Sequence, residues 1–266
     1  MLLTMLGTGH AVVTECYNTC FTLKDKEQYF LVDGGGGNGV LTQLSKAVID
    51  WNKIRDIFIT HKHIDHLLGA VWMIRLICHA MKRNQYTGEA RIYGHGEVIE
   101  ILRSIAAMVL QPEDTAFIGE RLHLITVADG EKVSILGRET TFFNIHATKT
   151  KQFGFTMEVS PGERFTYCGD EPYRDEAEQY VAGSNWLVHE AFCLFSEAHI
   201  FKPYEKNHST VKDACELAEK LGIPNLILCH TEDKNIRNRK RLYTVEGKAY
   251  FSKNLWIPND LESIEI

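Results

Sequence analysis

Residues 60–66 read Thr-His-Lys-His-Ile-Asp-His and form the pattern H-x-H-x-D-H directly after an apolar run. In an extended or turning segment, residues two apart point to the same side, so His61 and His63 can bind one metal ion together. Asp65 and His66 lie on the following turn and can reach a second ion. Imidazole nitrogens with carboxylate oxygens suit Zn²⁺, and also Mn²⁺ or Fe²⁺. The stretch therefore predicts a metal site rather than a chance run of histidines on a solvated loop.

Two metal ions need more ligands than one loop supplies, and further candidates follow other strand-like runs. His146, Asp170 and His230 each come directly after such a run, and Asp33 follows the apolar run Phe30-Leu31-Val32. Taken alone, a histidine in this position is more often a surface or capping residue. Because active sites of layered α/β folds collect on loops at strand ends, the recurrence predicts that these residues belong to one site.

The composition is that of an ordinary globular protein. The chain has 266 residues, of which 44% are hydrophobic and 24% charged, which excludes extensive disorder, collagen-like repeats and a disulfide miniprotein. The net charge of −6 disfavours a protein that binds polyanions without specificity. Twelve histidines are the unusual feature. Histidine is the commonest metal ligand, so their placement becomes the question.

The sequence favours a reduced cytoplasmic location. The seven cysteines show no C-x-x-C pair, which disfavours both a cysteine-rich zinc site and a disulfide framework. The N-terminal residues have no basic segment and turn into a glycine, which predicts a first strand rather than a signal peptide. No stretch reads as the ~20 consecutive apolar residues that a membrane span needs. We therefore expect no membrane association.

Helical and strand patterns alternate along the chain, without a linker, an internal repeat or a low-complexity tract. This predicts an α/β protein with a single domain over residues 1–266. The helices are predicted at residues 39–50, 67–81, 97–110, 175–182 and 210–221. The strands are predicted at residues 30–33, 56–60, 91–94, 121–126, 132–136, 141–145, 153–159, 164–168, 186–189 and 225–229, with the tail 248–266 also read as strands.

The order of these motifs resembles the metallo-β-lactamase fold superfamily over essentially the whole chain. The resemblance implies a four-layer αβ/βα sandwich, in which two mixed sheets face each other with helices outside. Within the superfamily, the sequence is most similar to ribonuclease Z and related phosphodiesterases. The similarity rests on Leu6-Gly7-Thr8-Gly9, on His189-Glu190-Ala191, on Asn207-His208-Ser209-Thr210 and on the tail Trp256-Ile257-Pro258-Asn259-Asp260-Leu261.

The resemblance also implies roles for individual residues. The first metal ion would be bound by His61, His63 and His146, and the second by Asp65, His66 and His230. Asp170 would bridge both ions, and a hydroxide between them would attack the phosphorus. Asp65 could also accept a proton from that nucleophile. His208 would protonate the leaving group, and Asp33 would lie beneath the metals. His189 could orient a ligand or cap a strand.

The sequence departs from ribonuclease Z in ways that concern the substrate. Bacterial ribonuclease Z carries a long arm that grips tRNA between the motifs of His146 and Asp170, and this chain has no room for one. A basic run follows His230 and could contact a polyanion or form a solvated face; it comprises Lys234, Arg237, Arg239, Lys240 and Arg241. His10 could line the cleft or lie on the surface. The chemistry therefore carries over more firmly than tRNA as substrate.

Three functions remain open on the sequence alone. The first is a dinuclear metal-dependent phosphodiesterase that acts on a small phosphodiester or on an RNA end. The second is a thioester or lactone hydrolase of the same fold, similar to glyoxalase II or to lactonases. The third is a metal-binding protein without catalysis. In the first two cases the cofactor would be two divalent ions, with zinc preferred, and the resemblance makes a homodimer one further expectation.

Overall fold

The computed structural model describes residues 1–266, and the chain divides into two compact units. The first unit comprises Met1–Gly7, Tyr17–Ala128 and Leu261–Glu265, and the second comprises Thr8–Cys16, Asp129–Asp260 and Ile266. Each unit is built on one seven-stranded sheet. The α/β class predicted from the alternating patterns is thus observed in both units, and the single-domain organisation stays a prediction.

The first sheet combines an antiparallel half and a parallel half. Its strands are β1 (Leu2–Gly7), β2 (Cys20–Asp25), β3 (Gln28–Val32), β4 (Ile54–Phe58), β5 (Ala90–Gly94), β6 (Leu122–Thr126) and β14 (Ser263–Glu265). Their order is β14-β1-β2-β3-β4-β5-β6. Neighbours from β14 to β3 pair antiparallel, and those from β3 to β6 pair parallel. Because parallel strands end at the same edge, the loops after β3 and β4 meet there.

The helices of the first unit bury apolar faces against this sheet. They are α1 (Gly39–Lys46), α2 (Ile64–Lys82), α3 (Gly96–Val109) and α4 (Pro112–Thr115), with a 3₁₀ turn at Trp51–Lys53. The predicted helices at 67–81 and 97–110 are close to the observed bounds, and the one predicted at 39–50 ends four residues early. Helix α2 begins directly at the histidine motif, so the fold fixes the motif on the first turn of a buried helix.

Helix α2 can approach β3 only because two glycines meet. The Gly34 amide donates to the His66 carbonyl at 2.8 Å, and the Gly69 amide donates to the Gly35 carbonyl at 2.9 Å. A Cβ placed on Gly69 would lie 1.7 Å from the Gly34 carbonyl oxygen. The glycine run after β3 therefore works as a docking surface for the start of α2.

Helix α2 is long and apolar enough to cross a membrane by length and composition alone, and 67% of its apolar window is buried within the protein. The expectation that no stretch approaches such a length was wrong for this helix. Its hydrophobicity has another cause, because Leu67, Met73, Ile74 and Ile77 all belong to the core of the first unit. Helices buried in the cores of soluble proteins have the same character.

The second sheet repeats the same division. Its strands are β7 (Lys132–Ile135), β8 (Arg138–Asn144), β9 (Phe153–Ser160), β10 (Glu163–Tyr167), β11 (Trp186–Glu190), β12 (Asn225–Cys229) and β13 (Asn254–Trp256). Their order is β13-β12-β11-β10-β9-β8-β7, with parallel pairing from β13 to β10 and antiparallel pairing from β10 to β7. The interval between His146 and Asp170 is filled by the hairpin β9–β10, which confirms that no long arm is inserted there.

The helices of the second unit are shorter. They are α5 (Glu178–Val181), α6 (Ala198–Phe201), α7 (Val211–Lys220) and α8 (Arg239–Gly247), with 3₁₀ turns at Asp175–Ala177, Phe195–Glu197 and Tyr204–Lys206. Helix α7 begins at a capping box formed by Thr210 and Asp213, close to the predicted start. The helix predicted at 175–182 is split into a 3₁₀ turn and a single α-turn.

The C-terminal part of the sequence was interpreted incorrectly in two respects. Helix α8 was not predicted, because its basic residues and weak apolar periodicity resemble a solvated run. The tail 248–266 contains only two three-residue strands, β13 and β14. They pair with different sheets, β13 with β12 and β14 with β1.

Candidate metal centre

In the first unit, the carboxylate of Asp33 holds the histidine motif in place through hydrogen bonds. Its carboxylate is fully buried and its backbone has a φ of +57°, a strained conformation for a residue other than glycine. One oxygen, Oδ1, accepts from the Thr60 amide at 2.9 Å and from the Thr60 hydroxyl at 3.0 Å. The other, Oδ2, lies 2.8 Å from His66 Nδ1. Asp33 therefore ties the end of β3 to both ends of the motif.

These contacts decide which histidine nitrogens can bind a metal. His66 donates its Nδ1 proton to Asp33, which leaves the Nε2 lone pair available. The Thr60 hydroxyl donates to Asp33, so its oxygen accepts from His61 Nδ1 at 2.9 Å and again leaves the Nε2 lone pair available. Such carboxylate–histidine contacts fix ring orientation in metal sites. Sequence alone could not assign these nitrogens.

The ligating atoms of the motif lie close to one another. His61 Nε2 is 2.9 Å from His63 Nδ1, and His66 Nε2 is 3.4 Å from Asp65 Oδ2. The rings of His61 and His66 have centroids 4.2 Å apart. Neutral imidazoles and a carboxylate at such distances fit the donor set that divalent Zn, Mn or Fe prefers. The first unit thus brings together its four predicted ligands.

In the second unit, the carboxyl ends of the parallel strands β10, β11 and β12 bring Asp170, Glu190 and His230 together, and His208 joins them from the loop before α7. His230 Nε2 lies 3.4 Å from Asp170 Oδ2, and both side chains are buried. Ligating atoms of Glu190, His208 and His230 all lie within 4.8 Å of one another. His230 has a φ of +55°, so like Asp33 it holds a strained backbone. This half of the residue set is also suited to a divalent cation.

His146 differs from the other predicted ligands. It is exposed and its φ is +58°. Its amide donates to Asn144 Oδ1 at 2.9 Å. Within its own unit it contributes to no group of converging ligand atoms. The next turn is held by Glu171, whose carboxylate accepts from the Thr148 amide at 2.7 Å and from the Lys149 amide at 3.1 Å. The loop is thus fixed by Glu171, and the role of His146 as a ligand stays a prediction.

Glu190 is a functional candidate that the sequence reasoning did not single out. It is fully buried, and its Oε1 accepts from the Ser209 amide. Its Oε2 lies 3.4 Å from His208 Nδ1. The signal was present in the sequence, because Glu190 stands in the His189-Glu190-Ala191 element and Ser209 in the Asn207-His208-Ser209-Thr210 element. Neither element by itself indicates that the two meet.

The Glu190–His208 pair can hold a proton at neutral pH. Burial raises the pKa of Glu190 to about 8, against the opposing effect of His189 and His230. Burial lowers the pKa of His208, with Asp170 opposing. A protonated Glu190 carboxyl is therefore favoured at neutral pH, beside an imidazole that burial keeps neutral. Such a pair can deliver a proton through the ring of His208.

His189 has a local role in the structure. Its Nδ1 contacts the carbonyl oxygen of Glu190 at 2.8 Å, and its side chain is buried at the end of β11. It does not belong to the group of converging ligand atoms formed by Glu190, His208 and His230. The geometry therefore favours a structural role for His189 at the end of β11, beside Glu190.

An aromatic cluster surrounds His208. Phe192 stacks on His208 with centroids 4.8 Å apart and planes 11° apart. His10 lies 4.6 Å from the ring of Phe192 and 6.3 Å from that of His230. The Lys206 ammonium is 4.9 Å from the centroid of Phe192. His10 is thus close to a predicted ligand, although its sequence context did not decide between cleft and surface.

The basic run after His230 is not a uniform charged face. Lys234 and Arg237 are exposed, whereas Arg239 is fully buried. The guanidinium of Arg239 donates to Thr231 Oγ1 at 2.6 Å and to Thr8 Oγ1 at 3.0 Å. It also donates to the Pro258 carbonyl at 3.0 Å. Interpreting Arg239 as a polyanion contact or a solvated charge was therefore wrong, because it fastens the segment beginning at Thr8 to the loop after His230.

The remaining histidines are distributed through the first and second units without a common site. His95 is buried at the start of α3, His79 lies 3.6 Å from Asp114, and His123 lies 3.6 Å from Glu89. His199 is exposed on α6. These positions agree with their interpretation as structural or surface residues.

Known proteins are similar to this chain in sequence and in fold. The family model described as anti-Pycsar protein Apyc1 matches residues 1–253. Among relatives, ribonuclease Z of Pyrococcus abyssi is 27% identical and the alignment covers 98% of this chain and 94% of that protein. Ribonuclease Z of Brevibacillus brevis is 26% identical, with coverage of 86% and 85%.

Solved structures confirm the fold class. The metallo-β-lactamase fold protein YhfI from Bacillus subtilis has a TM-score of 0.80 at 16% identity and covers 100% of this chain and 99% of its own. The short form of human tRNase Z has a TM-score of 0.76 at 20% identity, with the same coverage. At these identities the likeness establishes the metallo-β-lactamase fold, as the motif order predicted.

Proposed function

The chain belongs to the anti-Pycsar protein Apyc1 family, and from that premise we propose that it is a dinuclear metal-dependent phosphodiesterase resembling ribonuclease Z. The ribonuclease Z relatives support the reaction, and the metal-suited histidines and carboxylates support the cofactor. The proposed ligands of the two ions are those of the sequence motifs: His61, His63, Asp65, His66, His146, Asp170 and His230. Zinc is the proposed metal, with manganese and iron as alternatives.

One observation carries the proposal. The ring of His208 lies 5.2 Å from that of His230, and its Nδ1 faces the buried carboxyl of Glu190 at 3.4 Å. A buried carboxyl and an imidazole thus lie together beside a predicted metal ligand. Alkoxide leaving groups of phosphodiesters need a proton in the transition state, and acyl transfer to a good leaving group depends on it less. The pair therefore favours phosphodiester hydrolysis over thioester hydrolysis.

Individual residues of the chain would have separate roles in the reaction. Bound divalent ions supply a nucleophile at neutral pH and positive charge opposite the phosphoryl oxygens. Asp33 and Thr60 hold the rings of His61 and His66 in the tautomer that can bind a cation. Asp65 would accept a proton from the nucleophile, and His208 would donate one to the leaving group.

We infer a small phosphodiester or an RNA end as the substrate, with the small molecule preferred. The short hairpin β9–β10 occupies the interval in which an arm would grip tRNA, and the net charge of −6 offers no general attraction to a polyanion. The kcat/KM for bis(p-nitrophenyl) phosphate should exceed that for any member of a panel of thioesters and lactones. Faster thioester or lactone hydrolysis would reverse the assignment.

Two variants test the proposed roles. Asp170→Ala should lose bound metal, since it removes a predicted bridging carboxylate. His208→Ala should retain metal and slow the hydrolysis of phosphodiesters with basic leaving groups by about 10²–10⁴-fold. Metal analysis and steady-state kinetics measure both effects, with the exposed His199→Ala as control. Loss of metal in His208→Ala would instead make His208 a ligand together with Glu190 and His230, and bound metal without any ester hydrolysis would indicate a non-catalytic protein.

A further inference from the structure

Phe192 is a buried aromatic residue next to Glu190 and His208. It directly follows Glu190 and Ala191, and only 3% of its surface is exposed. Its amide donates to the Ser209 carbonyl at 2.9 Å, and its carbonyl accepts from the Glu232 amide at 2.8 Å. The backbone of Phe192 is thus joined to the residue after His208 and to the second residue after His230.

The ring of Phe192 lies flat on the imidazole of His208. The centroids are 4.8 Å apart and the planes differ by 11°. Stacked ring pairs contribute roughly 0.5–1.5 kcal/mol beyond the area they bury. The χ2 torsion of histidine is broad, because it joins sp³ and sp² atoms, so a flat neighbour restricts the ring where the torsion itself does not.

Other groups hold the Phe192 ring in turn. His10 lies 4.6 Å from it, with planes 42° apart, and Phe201 contacts it edge-on at 6.5 Å. The Lys206 ammonium lies 4.9 Å from its centroid, within the range of a cation–π interaction. Phe192 therefore cannot turn away from His208 without breaking contacts with three segments of the second unit.

We propose that Phe192 is a positioning residue for proton donation by His208. The Glu190 carboxyl lies beside Nδ1 of His208. The stacked ring of Phe192 fixes the plane of the imidazole and therefore the direction in which Nε2 points. Proton transfer requires a donor within about 2.6–3.2 Å of its acceptor, and misplacement by 1 Å can cost about 10²-fold in rate. The inference rests on the proposed role of His208 and concerns a residue that itself contacts no substrate.

The test is a series of methyl aryl phosphodiesters whose phenol leaving groups range from nitrophenol, a weak base, to methoxyphenol, a stronger one. Phe192→Leu should lower kcat about 10–100-fold for the most basic leaving groups and less than about 3-fold for nitrophenol. KM and metal content should not change. Phe192→Tyr retains the aromatic ring and should restore the wild-type dependence on the leaving group.

A matched control separates positioning from stability. Phe251 is a phenylalanine buried in the core of the same unit, away from the aromatic cluster. Phe251→Leu should lower the melting temperature without a selective loss on basic leaving groups. An equal loss by Phe192→Leu across the whole series, or a loss of metal, would show a structural role only and overturn the inference.

His208→Ala in the same series distinguishes the proposed role of His208 as proton donor from that of Phe192 as positioning residue. If His208→Ala shows the selective loss and Phe192→Leu does not, the inference about Phe192 fails and the proposed function stands. If His208→Ala shows no selectivity, the proton-donor assignment fails, and the inference about Phe192 fails with it.

Discussion

Asp33 shows how one residue can set the chemistry of several others. Its strained backbone places a buried carboxylate against Thr60 and His66, and through the Thr60 hydroxyl it also fixes His61. The sequence indicated that Asp33 follows a strand and the family resemblance placed it beneath the metals. The hydrogen bonds explain that position, because a carboxylate there selects the tautomer of both rings.

Asp33→Asn should therefore weaken metal binding without removing a ligand. The amide cannot accept from both His66 and Thr60 while leaving Nε2 of each ring available, so we expect metal affinity to fall by about 10–100-fold. Competition with a chromogenic chelator measures this. Asp175→Asn, whose side chain is 80% exposed, is the control, and an unchanged affinity in Asp33→Asn would contradict the role given to Asp33.

His10 should make the stability of the metal-free protein depend on pH. Burial, then the neighbouring His230 and His208, lowers the pKa of His10 from 6.5 to about 4. The unfolded chain therefore binds a proton at His10 between pH 6.5 and 4 that the folded chain does not, so this residue destabilises the fold as the pH falls through that window. In His10→Gln the melting temperature should fall less over the same window.

Thermal unfolding in the presence of a chelator tests this at pH 7, 6, 5 and 4. His199→Gln, at an exposed position on α6, should follow the wild type. A constant difference in melting temperature between wild type and His10→Gln at every pH would show that His10 is not held neutral by its surroundings.

At the scale of elements, helix α2 joins the metal motif to the core of the first unit. Its first turn carries Asp65 and His66, and the close meeting of Gly69 and Gly34 sets its distance from β3. The periodicity of residues 67–81 predicted the helix correctly. It could not predict that the helix begins at Ile64, because Ile64 is exposed, and Asp65 and His66 are polar residues buried by the site rather than by an apolar face.

Gly69→Ala should displace the start of α2. The new Cβ would meet the Gly34 carbonyl oxygen at 1.7 Å, and such overpacking costs typically about 1–3 kcal/mol. We expect a lower free energy of unfolding and weaker metal binding together. Gly96→Ala on the first turn of α3 is the control, since its Cβ would have 3.8 Å to its nearest neighbour. A stable Gly69→Ala variant with full metal content would contradict the docking role.

At the scale of the whole molecule, the metallo-β-lactamase fold, the α/β class and the likeness to ribonuclease Z are confirmed predictions. They were accessible because short motifs in a fixed order distinguish this superfamily, whatever the intervening residues. The single domain, the homodimer and the cytoplasmic location stay predictions, and size-exclusion chromatography with light scattering tests the second of them.

Removal of metal should destabilise the protein as a whole. A ligand that binds only the folded state at 1,000 times its Kd stabilises it by about 4 kcal/mol, which for a chain of this size corresponds to a melting temperature higher by on the order of 10 °C. Chelation should reverse this shift and added Zn²⁺ restore it. Asp170→Ala should show no such response, and a wild type that melts equally with and without metal would argue against a metal centre.

The sequence by itself predicted the candidate ligands and indicated the metallo-β-lactamase superfamily, because the motifs that follow the strands are local and specific. The tertiary structure alone decided which nitrogen of His61 and of His66 can bind a cation, and which polar residues are buried beside the site. The contact of Arg239 with Thr8 joins segments far apart in the chain, and those of Glu190 with Ser209 and of Phe192 with His208 join different loops. Hydrogen-bond partners and burial depend on such contacts, and no local pattern encodes them.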